Sequence, residues 1–107
     1  MTHQASVRRA RTQRTTRLTG FVVTWDVNSR DRAQSGRVRR FVYGDKTHVD
    51  GKLYTYPGFV HREGVRYLGQ SVLFVTKGHL EALCGFLRSN GLVPVVTEAW
   101  LGRILRL

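Results

Sequence analysis

The chain has one cysteine, two prolines, seven acidic residues and no long apolar run. With Cys84 as the only thiol, no internal disulfide can form, which excludes a small scaffold stapled by disulfides and predicts a reducing compartment such as the cytoplasm. The apolar stretches fall far short of the roughly 20 residues that a membrane span needs, and no signal-peptide apolar stretch follows the basic start. Acid is the scarcest chemistry. Seven Asp and Glu stand against 18 Lys and Arg, for a formal charge of +11.

Of the 18 cations, 15 are arginine. The guanidinium fork grips phosphate oxygens bidentately and stacks on bases, so an excess of this kind predicts a polyanionic partner, RNA or DNA. A coding bias towards arginine would leave the same composition without any such partner. At 107 residues the chain is long enough for a single modest core and too short for two.

Residues 1–19 carry Arg8, Arg9, Arg11, Arg14 and Arg17, with no acid and little to bury. This stretch reads as a disordered leader, either a basic arm lying along phosphates or a solvated tail. The folded domain is expected over residues 20–107. Its first element, Phe21 to Val27, is β-branched and aromatic and reads as a central strand. Asn28, Ser29 and Asp31 offer caps to a helix over Arg32–Tyr43, with Val38, Phe41 and Val42 inward, Arg37, Arg39 and Arg40 outward, and Gly44 as its stop.

An insertion at about 45–63 contains the turn dipeptides Asp50-Gly51 and Pro57-Gly58 and reads as a hairpin. Strands are expected at Gly64–Tyr67 and Gln70–Thr76, then a helix over Lys77–Asn90 whose Leu80, Leu83, Cys84 and Leu87 form a core stripe, stopped by Gly91. A last strand covers Val93–Trp100, and Gly102–Leu107 is an extra strand or arm. The order β-α-β-β-α-β predicts an α+β, ferredoxin-like fold, an antiparallel sheet with both helices on one face and the other face open.

Asp26 is the leading site candidate. A carboxylate near the tip of an apolar strand needs compensation by a metal ion or an arginine, and Arg30, Arg32 and Arg37 follow closely. The bland alternative is an aspartate that caps the turn into the helix. One carboxylate makes a weak Mg2+ or Mn2+ site, whereas two, brought together across a symmetric dimer, would hold an ion able to activate water. The histidines His3, His48, His61 and His79 have no zinc-type spacing, and no phosphate-cradling glycine loop, nucleophilic serine elbow or His–Cys dyad is present. Tyr54, Tyr56, Phe59, Arg62, Arg66 and Tyr67 interleave aromatic and basic side chains, a pattern that serves either base stacking or ordinary sheet packing.

Two segments carry a resemblance. Val22-Val23-Thr24-Trp25-Asp26-Val27, followed by a basic helix ending Arg40-Phe41-Val42-Tyr43-Gly44, resembles the opening of the small CRISPR-associated endoribonuclease family, the second universal adaptation protein. Gly64-Val65-Arg66-Tyr67-Leu68-Gly69-Gln70-Ser71-Val72-Leu73-Phe74 is similar to that family's Gly-x-Arg-x-Gln-x-Ser-Val-Phe segment. The resemblance implies a ferredoxin-like homodimer in antiviral defence, with an integrase as partner, whose paired Asp26 side chains are catalytic metal ligands for cleavage of RNA or DNA, or which serves as a nucleic-acid-binding scaffold in spacer acquisition. Arg66 corresponds only approximately, with one extra residue before Ser71, and Leu73 replaces a usual phenylalanine. Three readings stay open. One is a dimeric, metal-dependent nuclease with phosphate contacts at Arg37, Arg39, Arg40 and Arg66. The second is a non-catalytic binding module using the leader and the open sheet face. The third is an interaction domain whose charge only maintains solubility.

Overall fold

The computed structural model describes residues 18–103, 105 and 107. Arg8, Arg9, Arg11 and Arg14, and with them nearly all of the leader, lie outside the described residues. The chain runs β1 (Leu18–Thr24), α1 (Arg32–Tyr43), β2 (Gly44–Val49), β3 (Lys52–Pro57), a 3-10 turn (Phe59–His61), β4 (Val65–Gly69), β5 (Val72–Val75), α2 (Lys77–Ser89) and β6 (Val95–Leu101). The main sheet has the order β4-β5-β1-β6, with every neighbouring pair antiparallel. Each helix therefore joins two strands that flank a third. The strands connected through α1 have β5 between them, and those connected through α2 have β1 between them. This is the split βαβ arrangement of a ferredoxin-like α+β fold.

β1 starts two residues inside the stretch read as leader. Leu18 and Thr19 belong to the sheet because they pair with Leu101 and Trp100 of β6, a partner eighty residues away that local sequence does not announce. At its other end the strand stops at Thr24 rather than Val27. Phe21, Val23 and Trp25 alternate towards the helices, and Val23 is fully buried.

Both helices form where caps and apolar stripes place them. Asp31 is the N-cap of α1, its carboxylate accepting from the Gln34 backbone N–H at 2.9 Å. Gln34, Val38 and Val42 are buried along one side of α1, and Leu83, Cys84 and Leu87 along one side of α2. Gly91, at φ 79°, takes the left-handed turn that ends α2, and the Leu92 N–H closes back onto the Leu87 carbonyl. Phe59 joins this core from the 3-10 turn, and Phe41 stacks on Phe59 and on Phe86 of α2. The insertion is thus anchored by the residues that follow its hairpin.

The hairpin itself, β2 with β3, is a separate two-stranded sheet whose residues are exposed from Asp45 to Pro57. Asp50 at φ 51° and Gly51 at φ 79° give the two consecutive positive φ angles of a tight two-residue turn.

The face away from the helices is closed at one end, where it was expected to be open throughout. Phe74 belongs to that face by alternation with Leu73 and Val75, yet none of its surface is exposed. Gly20 makes room for its ring, since a Cβ there would lie 2.8 Å from Phe74 Cζ. Arg66, the cross-strand partner of Phe74, donates to the Gly102 carbonyl at 3.4 Å, tying β4 to the chain just past β6. Among the described residues no helix is long and apolar enough to cross a membrane.

Candidate functional site

Asp26 lies beyond the strand. The Trp25 N–H still reaches across the sheet to the Ser71 carbonyl at 3.3 Å, but the chain then leaves, and Asp26 is exposed. Its carboxylate is solvated, so burial gives no reason for a compensating partner. It does not cap α1 either, because that role falls to Asp31, while Asn28 Oδ1 accepts from the Arg30 N–H in the turn between them.

What Asp26 does is line a cleft of about 960 Å³ between the end of β1, one side of α1 and the β4–β5 turn. From α1 come Arg32, Gly36, Arg39 and Tyr43, at i, i+4, i+7 and i+11, a single stripe of the helix. Tyr67, Gln70 and Ser71 come from the opposite wall. Two guanidinium groups face one carboxylate here, so the cleft carries net positive charge of the kind that attracts phosphate.

The cleft also has aromatic lining. The rings of Tyr43 and Tyr67 meet edge to face at 5.8 Å between centroids. Partial burial, together with the neighbouring Tyr67 hydroxyl, holds the Tyr43 hydroxyl above its ordinary pKa. Trp25 also lines the cleft. It is 6 % exposed, and its Nε1–H is buried with no acceptor in the described residues. An orphaned donor of this kind costs about 1–3 kcal/mol, and in native proteins such groups are uncommon enough to mark a site.

The four arginines of the folded domain singled out from sequence do not converge. Arg39 is in the cleft. Arg37 is turned to the end of α2, where its Nε donates to Asn90 Oδ1, and Arg40 faces Asp45 at 4.0 Å, an ion pair with both side chains half-exposed. Arg66 lies on the other face of the sheet, with Gly102. Tyr43, Gln70 and Ser71 were missed as site residues, whereas Arg32, named beside Asp26 from sequence, does line the cleft with it. The helical stripe from Arg32 to Tyr43 was legible, whereas the β4–β5 turn is brought in only by the β1–β5 pairing.

The aromatic and basic interleaving also disperses. Tyr54 and Tyr56 are exposed on the hairpin, and Phe59 is buried with the Arg62 guanidinium 4.6 Å over its ring. Of that set Tyr67 alone reaches the cleft. His79 Nε2 is 2.7 Å from the Glu63 carbonyl, and burial pushes the Cys84 thiol above its ordinary pKa.

Asp26 is the one carboxylate lining the cleft, and among the described residues no three His, Cys, Asp or Glu side chains converge as a metal would require. A single chain therefore does not fit a tight Mg2+ or Mn2+ site. The chain is matched by no protein-family model, no curated protein and no solved structure.

Proposed function

We propose that the protein binds nucleic acid, RNA or DNA, through the cleft bounded by Asp26, Arg32 and Arg39. The observation that carries this reading is the placement of two guanidinium groups and two exposed tyrosines around one cavity. Guanidinium groups neutralise phosphates, and aromatic rings beside them provide faces for bases. The overall charge of +11 draws a polyanion to the surface before the specific contacts form.

Cleavage is the finer proposal, and it belongs to a homodimer. An exposed Asp26 is free to approach its symmetry mate, and two such carboxylates would supply the second ligand that one chain lacks. The resemblance to the CRISPR-associated endoribonucleases, and with it an integrase partner, supports this form of the reading. A bound Mg2+ or Mn2+ would supply a Lewis acid and an activated water. The chain's own contribution is to hold the phosphodiester against Arg32 and Arg39.

The test is a labelled oligonucleotide series, single- and double-stranded, RNA and DNA, measured for binding and for cleavage with Mg2+ or Mn2+. Binding that weakens in Arg39→Ala supports the cleft. Asp26→Asn is expected to abolish cleavage and leave affinity intact. If it cleaves as well as the parent chain, Asp26 is removed from the mechanism, and if no oligonucleotide binds at physiological salt, the nucleic-acid reading ends.

A further inference from the structure

The cleft is more than a basic surface. A stacked duplex presents its phosphates to any patch of arginines and needs no cavity, yet here the arginines stand at the edge of a space of about 960 Å³. That volume lies at the upper end of the roughly 300–1,000 Å³ occupied by pockets for small organic ligands. A bare phosphate would leave most of it empty. Tyr43 and Tyr67, which line the cleft and are exposed, offer the flat faces that a heteroaromatic ring would meet.

We infer that the cleft is a pocket for one nucleotide. The phosphate lies between Arg32 and Arg39, and the base lies against Tyr43 and Tyr67. This rests on the nucleic-acid reading and narrows it, because a nucleotide can enter only when its base has left the stack. Base–aromatic stacking supplies sequence-tolerant affinity.

The indole itself provides the readout. The chain has two tryptophans, and Trp100 is exposed on β6, so Trp100→Phe leaves Trp25 as the sole indole fluorophore in the full-length protein. In that background the ligands are nucleoside 5′-monophosphates, ribose 5-phosphate and inorganic phosphate. A saturable change in Trp25 emission is expected with at least one mononucleotide, at an affinity about ten-fold tighter than for ribose 5-phosphate, with displacement of a bound oligonucleotide. Tyr67→Ala is expected to remove that ten-fold advantage while leaving ribose 5-phosphate unaffected, Tyr67→Phe to restore it, and Arg39→Ala to weaken both ligands. Tyr67 is exposed, so the tyrosine variants are expected to fold.

Ribose 5-phosphate binding as tightly as the mononucleotides would overturn the pocket. So would an oligonucleotide that binds normally while mononucleotides neither compete nor alter Trp25. Either result leaves the nucleic-acid reading standing on phosphate contacts alone. Mononucleotides that bind where no oligonucleotide does would uphold the pocket and overturn the polymeric partner.

Discussion

Gln34 Nε2 donates to the Asn90 backbone carbonyl at 2.8 Å, joining the first turn of α1 to the end of α2. The same amide accepts the Asn28 N–H at 3.2 Å, and Asn90 Oδ1 takes the Arg37 guanidinium. This small polar network sets where α1 sits, and so where Arg32 and Arg39 stand in the cleft. Gln34→Leu keeps the volume roughly and removes both amide bonds, leaving the Asn90 carbonyl without its partner. The expected loss is about 1–3 kcal/mol, read as a lower urea midpoint at unchanged m-value.

The N-cap of α1 is separable from that network. In Asp31→Ala the Gln34 N–H loses its acceptor, and about 1 kcal/mol of stability is expected to go with it. Asp31→Asn retains an oxygen at the same place and is expected to recover most of the loss. Thermal unfolding of the two variants side by side checks this, and equal losses in both would show that the cap bond is not the cause.

Alanine is expected to have opposite effects at two glycines. At Gly36, inside α1, a Cβ meets only the tip of the flexible Arg40 side chain at 3.1 Å, so the gain in helix propensity of about 0.5–1 kcal/mol should prevail once that guanidinium shifts. At Gly58 a Cβ would lie within 2.3 Å of the Val42 carbonyl oxygen and the Tyr43 carbonyl carbon, backbone atoms that cannot move aside. Gly36→Ala should therefore raise the unfolding midpoint, and Gly58→Ala should lower it sharply.

How much of this was legible follows from where each signal resides. The order of elements was written locally, in the β-branched run from Phe21, in the i, i+3, i+4, i+7 stripe at Leu80, Leu83, Cys84 and Leu87, and in the Asp50-Gly51 turn. Several strand boundaries were not, among them the start of β6 at Val95 rather than Val93. β1 gains Leu18, Thr19 and Gly20 through pairing with β6, and it loses Trp25 to Val27 because the chain must turn towards the Asp31 cap. The site followed the same rule. Asp26 and Arg39 are near in sequence and were found, but Tyr67, Gln70 and Ser71 reach the cleft from some forty residues away. Nor does local sequence show that Arg66 lies on the far face of the sheet, since the strand's position and phase decide that.

Burial raises the Cys84 thiol above its ordinary pKa, so the neutral thiol persists in the folded chain at pH values where an unfolded chain already holds thiolate. The sign follows from linkage. The stability associated with this group is fully present below the unfolded-state pKa and is lost as pH rises through the higher folded-state value. Alkylation by iodoacetamide near pH 8 is expected to be much slower in native protein than in denaturant. Cys84→Ala should flatten part of the alkaline fall in stability, and an unchanged alkaline profile would show that other groups govern it.

The cleft makes a prediction about salt that its neighbours do not. Each phosphate neutralised by a cation releases condensed counterions, so the slope of log K against log salt counts the contacts, at about 0.7 per phosphate for a single strand. Arg32 and Arg39 line the cleft, whereas Arg88 sits on α2 paired with Glu81 at 3.0 Å, and Arg40 faces Asp45. If the cleft holds the backbone, Arg32→Ala and Arg39→Ala should each reduce the slope by close to one contact and weaken binding across all sequences. Arg88→Ala should leave the slope where it was, because a diffuse field responds to any one charge only slightly and a surface ion pair adds little. Equal small reductions at Arg32, Arg39, Arg40 and Arg88 would be the signature of attraction to the whole +11 surface, and the cleft would then have no special part in binding.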